Sequence, residues 1–175
     1  TGGYNVAVGG NALDALTTGS TNVAVGQNSL GANTTGGDNV AVGQSALLVA
    51  TTASNNTAVG SYVLDANSSG TANIGMGKNA LTANTTGNYN SGLGAYALAA
   101  NTTSAEHVAV GYQALTTQTD GTRCTALGAY ALKVSNANDN TAVGCTALDA
   151  TTTGIDNTAV GSGALSATTT GANNV

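Results

Sequence analysis

A seventeen-residue period runs through this chain from end to end. Asn5, Asn22, Asn39, Asn56, Asn73 and Asn90 are each seventeen residues apart, and each opens a segment such as Asn-Val-Ala-Val-Gly. His107 and Cys124 continue the register, which then loses one residue and resumes at Asn140, Asn157 and Asn174. A fixed period of this size implies stacked units, each touching mainly its neighbours.

Numbering the Asn as position one turns the repeat into columns. Position four is always large and apolar: Val8, Val25, Val42, Val59, Met76, Leu93, Val110, Leu127, Val143 and Val160. Position two is Val, Ile, Thr or Ser. Position three is Ala7, Ala24, Ala41, Ala58, Ala109, Ala126, Ala142 or Ala159, with Gly75 and Gly92 in the middle units. Strand side chains alternate, so positions two and four face one way and three the other. The larger side chains are expected inside, with the position-four valines in the core. The alanine column is then the outer face. It carries no charge in ten units, which predicts self-association there.

Position five is glycine in every unit: Gly9, Gly26, Gly43, Gly60, Gly77, Gly94, Gly111, Gly128, Gly144 and Gly161. Such a column marks a corner that needs positive φ or close approach. Position nine is always leucine: Leu13, Leu30, Leu47, Leu64, Leu81, Leu98, Leu115, Leu132, Leu148 and Leu165. It reads as the second core anchor. With Ala commonly at eleven it fits a second strand, the preferred reading, although Ala-Leu side by side also fits one helical turn. Positions twelve to fifteen, as in Asn33-Thr34-Thr35-Gly36, are turn chemistry. Positions six, seven, sixteen and seventeen vary and are expected in solvent.

One unit holds too few apolar side chains to offset the entropy of ordering it, so units must stack. Stacking sets Asn on Asn, and an internal ladder of Asn5, Asn22, Asn39, Asn56, Asn73, Asn90, Asn140 and Asn157 would satisfy its amides along the axis. The fold expected is all-β: a β-solenoid, or parallel β-roll, of about ten stacked coils roughly 50 Å long at about 4.8 Å per coil. Residues 1–175 read as a single repeat domain, a segment of a longer array. Thr1 and Val175 both fall in mid-coil, and neither end shows a polar cap. Two expectations follow. Leu81→Asp or Val59→Asp should disrupt stacking. The unit from Gly128 to Asn140, one residue short, should absorb its deletion in the Ser135–Asn136 turn and leave Leu132 and Val143 in their columns.

Composition excludes several function classes. Charged residues are 6% of the chain, net charge is −5, and only Lys78, Arg123 and Lys133 are basic, so no nucleic-acid or anionic-membrane surface is expected. No apolar run approaches transmembrane length, and no leader peptide is visible. The single histidine, His107, fills an Asn slot and has no repeated carboxylate partner, so no catalytic residues are assigned. Asp14, Asp65 and Asp149 share position ten but lie in units one, four and nine. They read as a solvated face, so no metal or other cofactor is expected. Cys124 and Cys145 lie in columns about 16 Å apart if extended, too far for a bridge, and read as unpaired. Asn33, Asn67, Asn84 and Asn101 sit in glycosylation sequons that the repeat itself generates.

Units such as Asn90-Ser91-Gly92-Leu93-Gly94-Ala95-Tyr96-Ala97-Leu98 and Asn140-Thr141-Ala142-Val143-Gly144 resemble the head repeats of trimeric autotransporter adhesins. They are closer still to the Asn-Thr-Ala-Val-Gly-x-x-Ala-Leu-x-x-Asn-Thr-Thr-Gly repeats of phage tail-fibre-like proteins. The resemblance covers the whole chain. It implies a β-roll, often three chains about one axis, on the outside of a bacterial cell or on a virion. The function expected is a structural module of an extracellular fibre, filament or adhesin. Its partners would be copies of itself, as a homotrimer or filament, with a host glycan or surface receptor as a further candidate. An ice-binding solenoid using the Thr-Thr column, from Thr17-Thr18 to Thr169-Thr170, is the alternative.

Overall fold

The computed structural model describes residues 2–175; Thr1, placed at position fourteen by the repeat, lies outside them. Among the described residues there is one three-residue strand per unit and no helix. The strands are β1 (Val6–Val8), β2 (Val23–Val25), β3 (Val40–Val42), β4 (Thr57–Val59), β5 (Ile74–Met76), β6 (Ser91–Leu93), β7 (Val108–Val110), β8 (Thr125–Leu127), β9 (Thr141–Val143) and β10 (Thr158–Val160). They form one ten-stranded parallel sheet in chain order, and like position pairs with like, as in Val23↔Val40 and Ala24↔Ala41. The chain is a β-solenoid, with coil one starting at Asn5 and coil ten at Asn157.

Each strand is short because the backbone turns left-handed on both sides of it. The residue before the ladder Asn has positive φ in every coil, for example Tyr4 at 61°, Asp38 at 58° and Arg123 at 56°. The corner glycines after the strand lie between Gly77 at 110° and Gly94 at 142°. This is backbone that L side chains rarely adopt. A Cβ on Gly9 would also stand 2.7 Å from the Gly26 carbonyl carbon one coil on, so the corner column is glycine for space as well as for φ.

The second wall is not the strand expected from the sequence, nor a helical turn. Positions seven and nine are both left-handed, as at Asn28 (58°) and Leu30 (48°), and the flanking positions are not. The polar groups still run from coil to coil. Leu30 N–H donates to Ala46 O at 3.0 Å, Ala32 N–H to Leu48 O at 3.0 Å, and Asn28 N–H back to Gly10 O at 2.9 Å. A left-handed residue costs roughly 1–2 kcal/mol, and the inter-coil bonds offset that cost. β-Branched side chains tolerate this region least. Hence the core anchor is leucine in all ten coils and never Val or Ile.

The core lies between the leucine column and the alanine column. Leu30, Leu47, Leu64, Leu81, Leu98, Leu115, Leu132 and Leu148 are fully buried, and Leu13 nearly so, while Leu165 in the last coil is half-buried. The inner face of the sheet is position three, which corrects the expectation from side-chain size. Ala24, Ala41, Ala58, Ala109, Ala126, Ala142 and Ala159 are buried within this single chain, and Ala7 is exposed only because it lies in the first coil. They form no outer face for self-association. Val8, Val25, Val42, Val59, Val110, Val143 and Val160 point outward and are half-buried or exposed. The coil is too thin for Val on one wall and Leu on the other. Accordingly Leu81→Asp keeps its expected severity, whereas Val59→Asp alters a surface.

Coils four and five show how tight this interior is. Val63 replaces the usual alanine at position eight, and position three of the next strand is then Gly75, where an added Cβ would collide with Val63 Cγ1. Gly75→Ala should therefore cost about 1–3 kcal/mol by overpacking. Combining it with Val63→Ala, which restores the common pair, should recover most of that loss. A double-mutant cycle in chemical unfolding measures the coupling, and strictly additive effects would contradict the contact.

The shortened coil behaves as expected. Asn136 occupies position thirteen, Ala137 takes over position fifteen, and position fourteen is missing between them. Thr125↔Thr141 and Leu127↔Val143 remain paired, Leu132 stays buried, and Leu132 N–H still donates to Ala147 O at 2.9 Å.

Candidate interaction surface and buried polar ladders

Positions two and four of all ten strands project from the outer side of the sheet as two parallel columns. Val110 and Leu127 are each 39% exposed, while Ala109 and Ala126 behind them are fully buried. The columns hold Val, Ile, Leu, Met, Thr and Ser, and no charged residue in any coil. Position four is apolar in every coil and position two in five, the others being Thr or Ser, so the columns form a continuous uncharged strip with an unbroken apolar row, roughly 45 Å long at about 4.8 Å per strand. Strips of this kind mark interaction surfaces on soluble proteins.

Inside the coil the position-one amides form a continuous ladder. Asn22 Nδ2 donates to Gly36 O at 2.9 Å within its own coil, and to Asn5 Oδ1 at 3.1 Å in the coil before. Its backbone N–H donates to the same Asn5 Oδ1 at 2.9 Å. The pattern repeats at Asn39, Asn56, Asn73 and Asn157, and in part at Asn90 and Asn140. Each side chain closes the turn of its own coil and caps a backbone donor of the next.

A second ladder, at position twelve, was not anticipated. Asn33 Oδ1 accepts from Gly36 N–H and its Nδ2 donates to Gly36 O, pinning the turn from both sides. Asn84 Nδ2 donates to Asn67 Oδ1 at 3.0 Å, and Asn101 Nδ2 to Asn84 Oδ1 at 2.9 Å. Asn33, Asn67, Asn84 and Asn101 are fully buried, so the folded coil presents no amide for glycosylation at these sequons. Their repetition at fixed spacing was the available signal, hidden by reading Asn-Thr-Thr-Gly as turn composition alone.

His107 and Cys124 interrupt the first ladder while occupying its geometry. His107 Nε2 lies 2.8 Å from Gly121 O, where an Asn Nδ2 would donate, and Nδ1 accepts from Cys124 N–H at 3.2 Å, where an Asn Oδ1 would accept. Cys124 Sγ donates to Ala137 O at 3.0 Å. Burial pushes the Cys124 thiol up to about 11. Both cysteines are free, Cys124 buried and Cys145 exposed.

The remaining polar groups bring no reactive cluster together. Asp65 accepts from Thr82 Oγ1 at 2.7 Å, and Asp14 and Asp149 lie in other coils. Among the described residues no three His, Cys, Asp or Glu side chains converge where a metal ion could sit, and no helix is long and apolar enough to cross a membrane. On the variable edge, Tyr96, Tyr112 and Tyr130 pack edge to face with centroids 6.3 and 5.4 Å apart, and Lys133 Nζ stands 5.1 Å from the Tyr130 centroid. Arg123 and Asp139 form a two-bond ion pair at position seventeen, at 2.7 and 2.9 Å.

No family model matches the sequence, and neither a curated protein nor a solved structure is significantly similar to it.

Proposed function

We propose that this chain is a structural repeat module of an extracellular fibre, filament or adhesin, on a cell or virion surface, and that it associates with copies of itself through the outer face of its sheet. The observation that carries the reading is the uncharged strip at positions two and four, apolar in every coil at position four. A partner with the same strand spacing would set its own columns between these along the whole rod, as in packed cross-β sheets. Two such strips joined face to face bury on the order of 1,000 Å² in total, the lower end of what a specific interface needs. A homotrimer or longer filament adds to that area. A rod of small side chains with two internal amide ladders suits a part that must be long and stiff. The repeat resemblance to adhesin heads and phage tail fibres supports the same reading, as does the absence of any clustered acid or nucleophile among the described residues.

The Thr-Thr alternative draws less support. Hydroxyls at position thirteen donate to carbonyls of the next coil, as from Thr34 to Thr51 at 3.0 Å and from Thr85 to Thr102 at 3.0 Å, on backbone that bends there. A flat hydroxyl array does not result. Absence of thermal hysteresis would remove ice binding altogether.

Sedimentation of the purified chain tests self-association. The parent should sediment as an oligomer. Val42→Lys together with Val110→Lys should dissociate it at unchanged circular dichroism, since both side chains leave the single coil. A parent that is monodisperse and monomeric at micromolar concentration would refute the proposal.

A further inference from the structure

Coils seven and eight are where three independent regularities of this rod fail together. The first is the position-one ladder. His107 can replace an Asn there only as the neutral imidazole with its proton on Nε2, because Nδ1 must accept from Cys124 N–H. A second proton, on Nδ1, would set donor against donor. Cys124 then continues the ladder with a thiol, a weak donor and weak acceptor.

The second is the position-twelve ladder. Asn101 Oδ1 is buried without a partner, because the next residue in the column is Gln118, whose longer amide reaches forward to Ala137 O at 3.3 Å. Gln118 Oε1 is likewise buried and unpaired. The third is the residue missing after Asn136. It leaves a dent of about 70 Å³ lined by Thr117, Val134, Ser135, Asn136 and Thr152.

We propose that the junction between coil seven (residues 107–123) and coil eight (residues 124–139) is an acid-released seam: protonation of His107 disconnects the two coils and opens the rod there while the regular coils on either side stay closed. The imidazole bonds the Gly121 carbonyl within its coil and the Cys124 N–H of the next; Asn90 Oδ1 accepts the His107 backbone N–H from the coil before, and the Cys124 thiol, bonded to Ala137 O, continues the column. Of these neighbours only the thiol titrates. Glu106, Arg123 and Asp139 stand on the outer position-seventeen column, and the imidazole's behaviour is set by burial and its two backbone hydrogen bonds, not by a neighbouring charge.

The direction follows from the burial. Desolvation pulls His107 down from 6.5 to about 4, so an open coil takes up the proton well before a closed one. Stability that this junction has above pH 6.5 is lost as pH falls towards 4. At pH 5 the open population should rise on the order of 30-fold relative to pH 7.5.

Two readings on the full chain test this. The first is hydrogen–deuterium exchange of peptides from coils seven and eight, normalised to coil three, at pH 7.5 and pH 5. The second is labelling by a dipyridyl disulfide, which reacts in acid, scored as Cys124 relative to the exposed Cys145 in the same sample. Both ratios should rise on the order of 30-fold at pH 5. His107→Asn, which installs the residue found in the other regular coils, should abolish both increases. Equal acid response in coils three and seven, or an undiminished response in His107→Asn, would overturn the seam.

Discussion

Arginine at Ala41 is expected to unfold the middle of the rod, not to loosen contacts between rods. Ala41 is fully buried on the inner side of β3, opposite the leucine wall, with no acidic partner available inside the coil. A guanidinium there would be both overpacked and unpaired, at a cost of several kcal/mol. Because adjacent coils share nearly all their strand hydrogen bonds, the loss should spread to coils two and four. Val42→Arg, one residue along and on the other side of the sheet, should change stability of the single chain by about 1 kcal/mol or less. Chemical unfolding of the two variants under monomeric conditions compares them directly. An outward-facing alanine column, as expected from side-chain size, would imply the reverse for Ala41 and Ala109, namely that arginine weakens assembly more than the coil. A folded, merely monomeric Ala41→Arg chain would restore that earlier orientation.

The amide ladder supplies the second large effect. Asn56→Leu keeps the branched outline of the side chain but removes the Oδ1 that accepts Asn73 N–H at 2.9 Å and the Nδ2 that donates to Gly70 O at 2.9 Å. Gly70 O keeps a second donor in Asn67, so the group left stranded is the Asn73 N–H. One orphaned buried donor together with the lost bonds should cost about 2–4 kcal/mol. Native-state hydrogen exchange reads it residue by residue. Asn73 should lose protection while Asn157, far along the rod, keeps its own. Asn73 exchanging as slowly as before would show that the ladder contributes little.

What could be read from the sequence depended on how many residues a feature involves. The period, the glycine corner, the leucine column and the amide ladder each rest on one residue type at one position. The facing of the strand does not. Alternation puts positions two and four opposite three, but which side is interior depends on how far apart the two walls stand. Side-chain size pointed the wrong way. Two clues in the sequence pointed the right way. Thr57, Ser91, Thr125, Thr141 and Thr158 put hydroxyls in the position-two column, as an outer face permits. Gly75 at position three follows Val63 at position eight, the reciprocal sizes of two residues that touch. The left-handed second wall was legible only indirectly. A core position that is always Leu, beside strand positions rich in Val, already implies that β-branching is excluded there. The second ladder was obscured because Asn followed by Thr and Gly is also ordinary turn chemistry.

The sixteen-residue coil indicates where the repeat tolerates a change of length. Removing position fourteen leaves strand register, the leucine wall and the first ladder's spacing in place, since the residue sits on an outward bend. The same bend recurs once per coil along one edge of the rod. A peptide spliced in there would project sideways from a rigid support, and splices in successive coils would stand about 4.8 Å apart. The rod thus has one edge that can carry foreign chain, at a spacing fixed by the sheet and independent of what is carried.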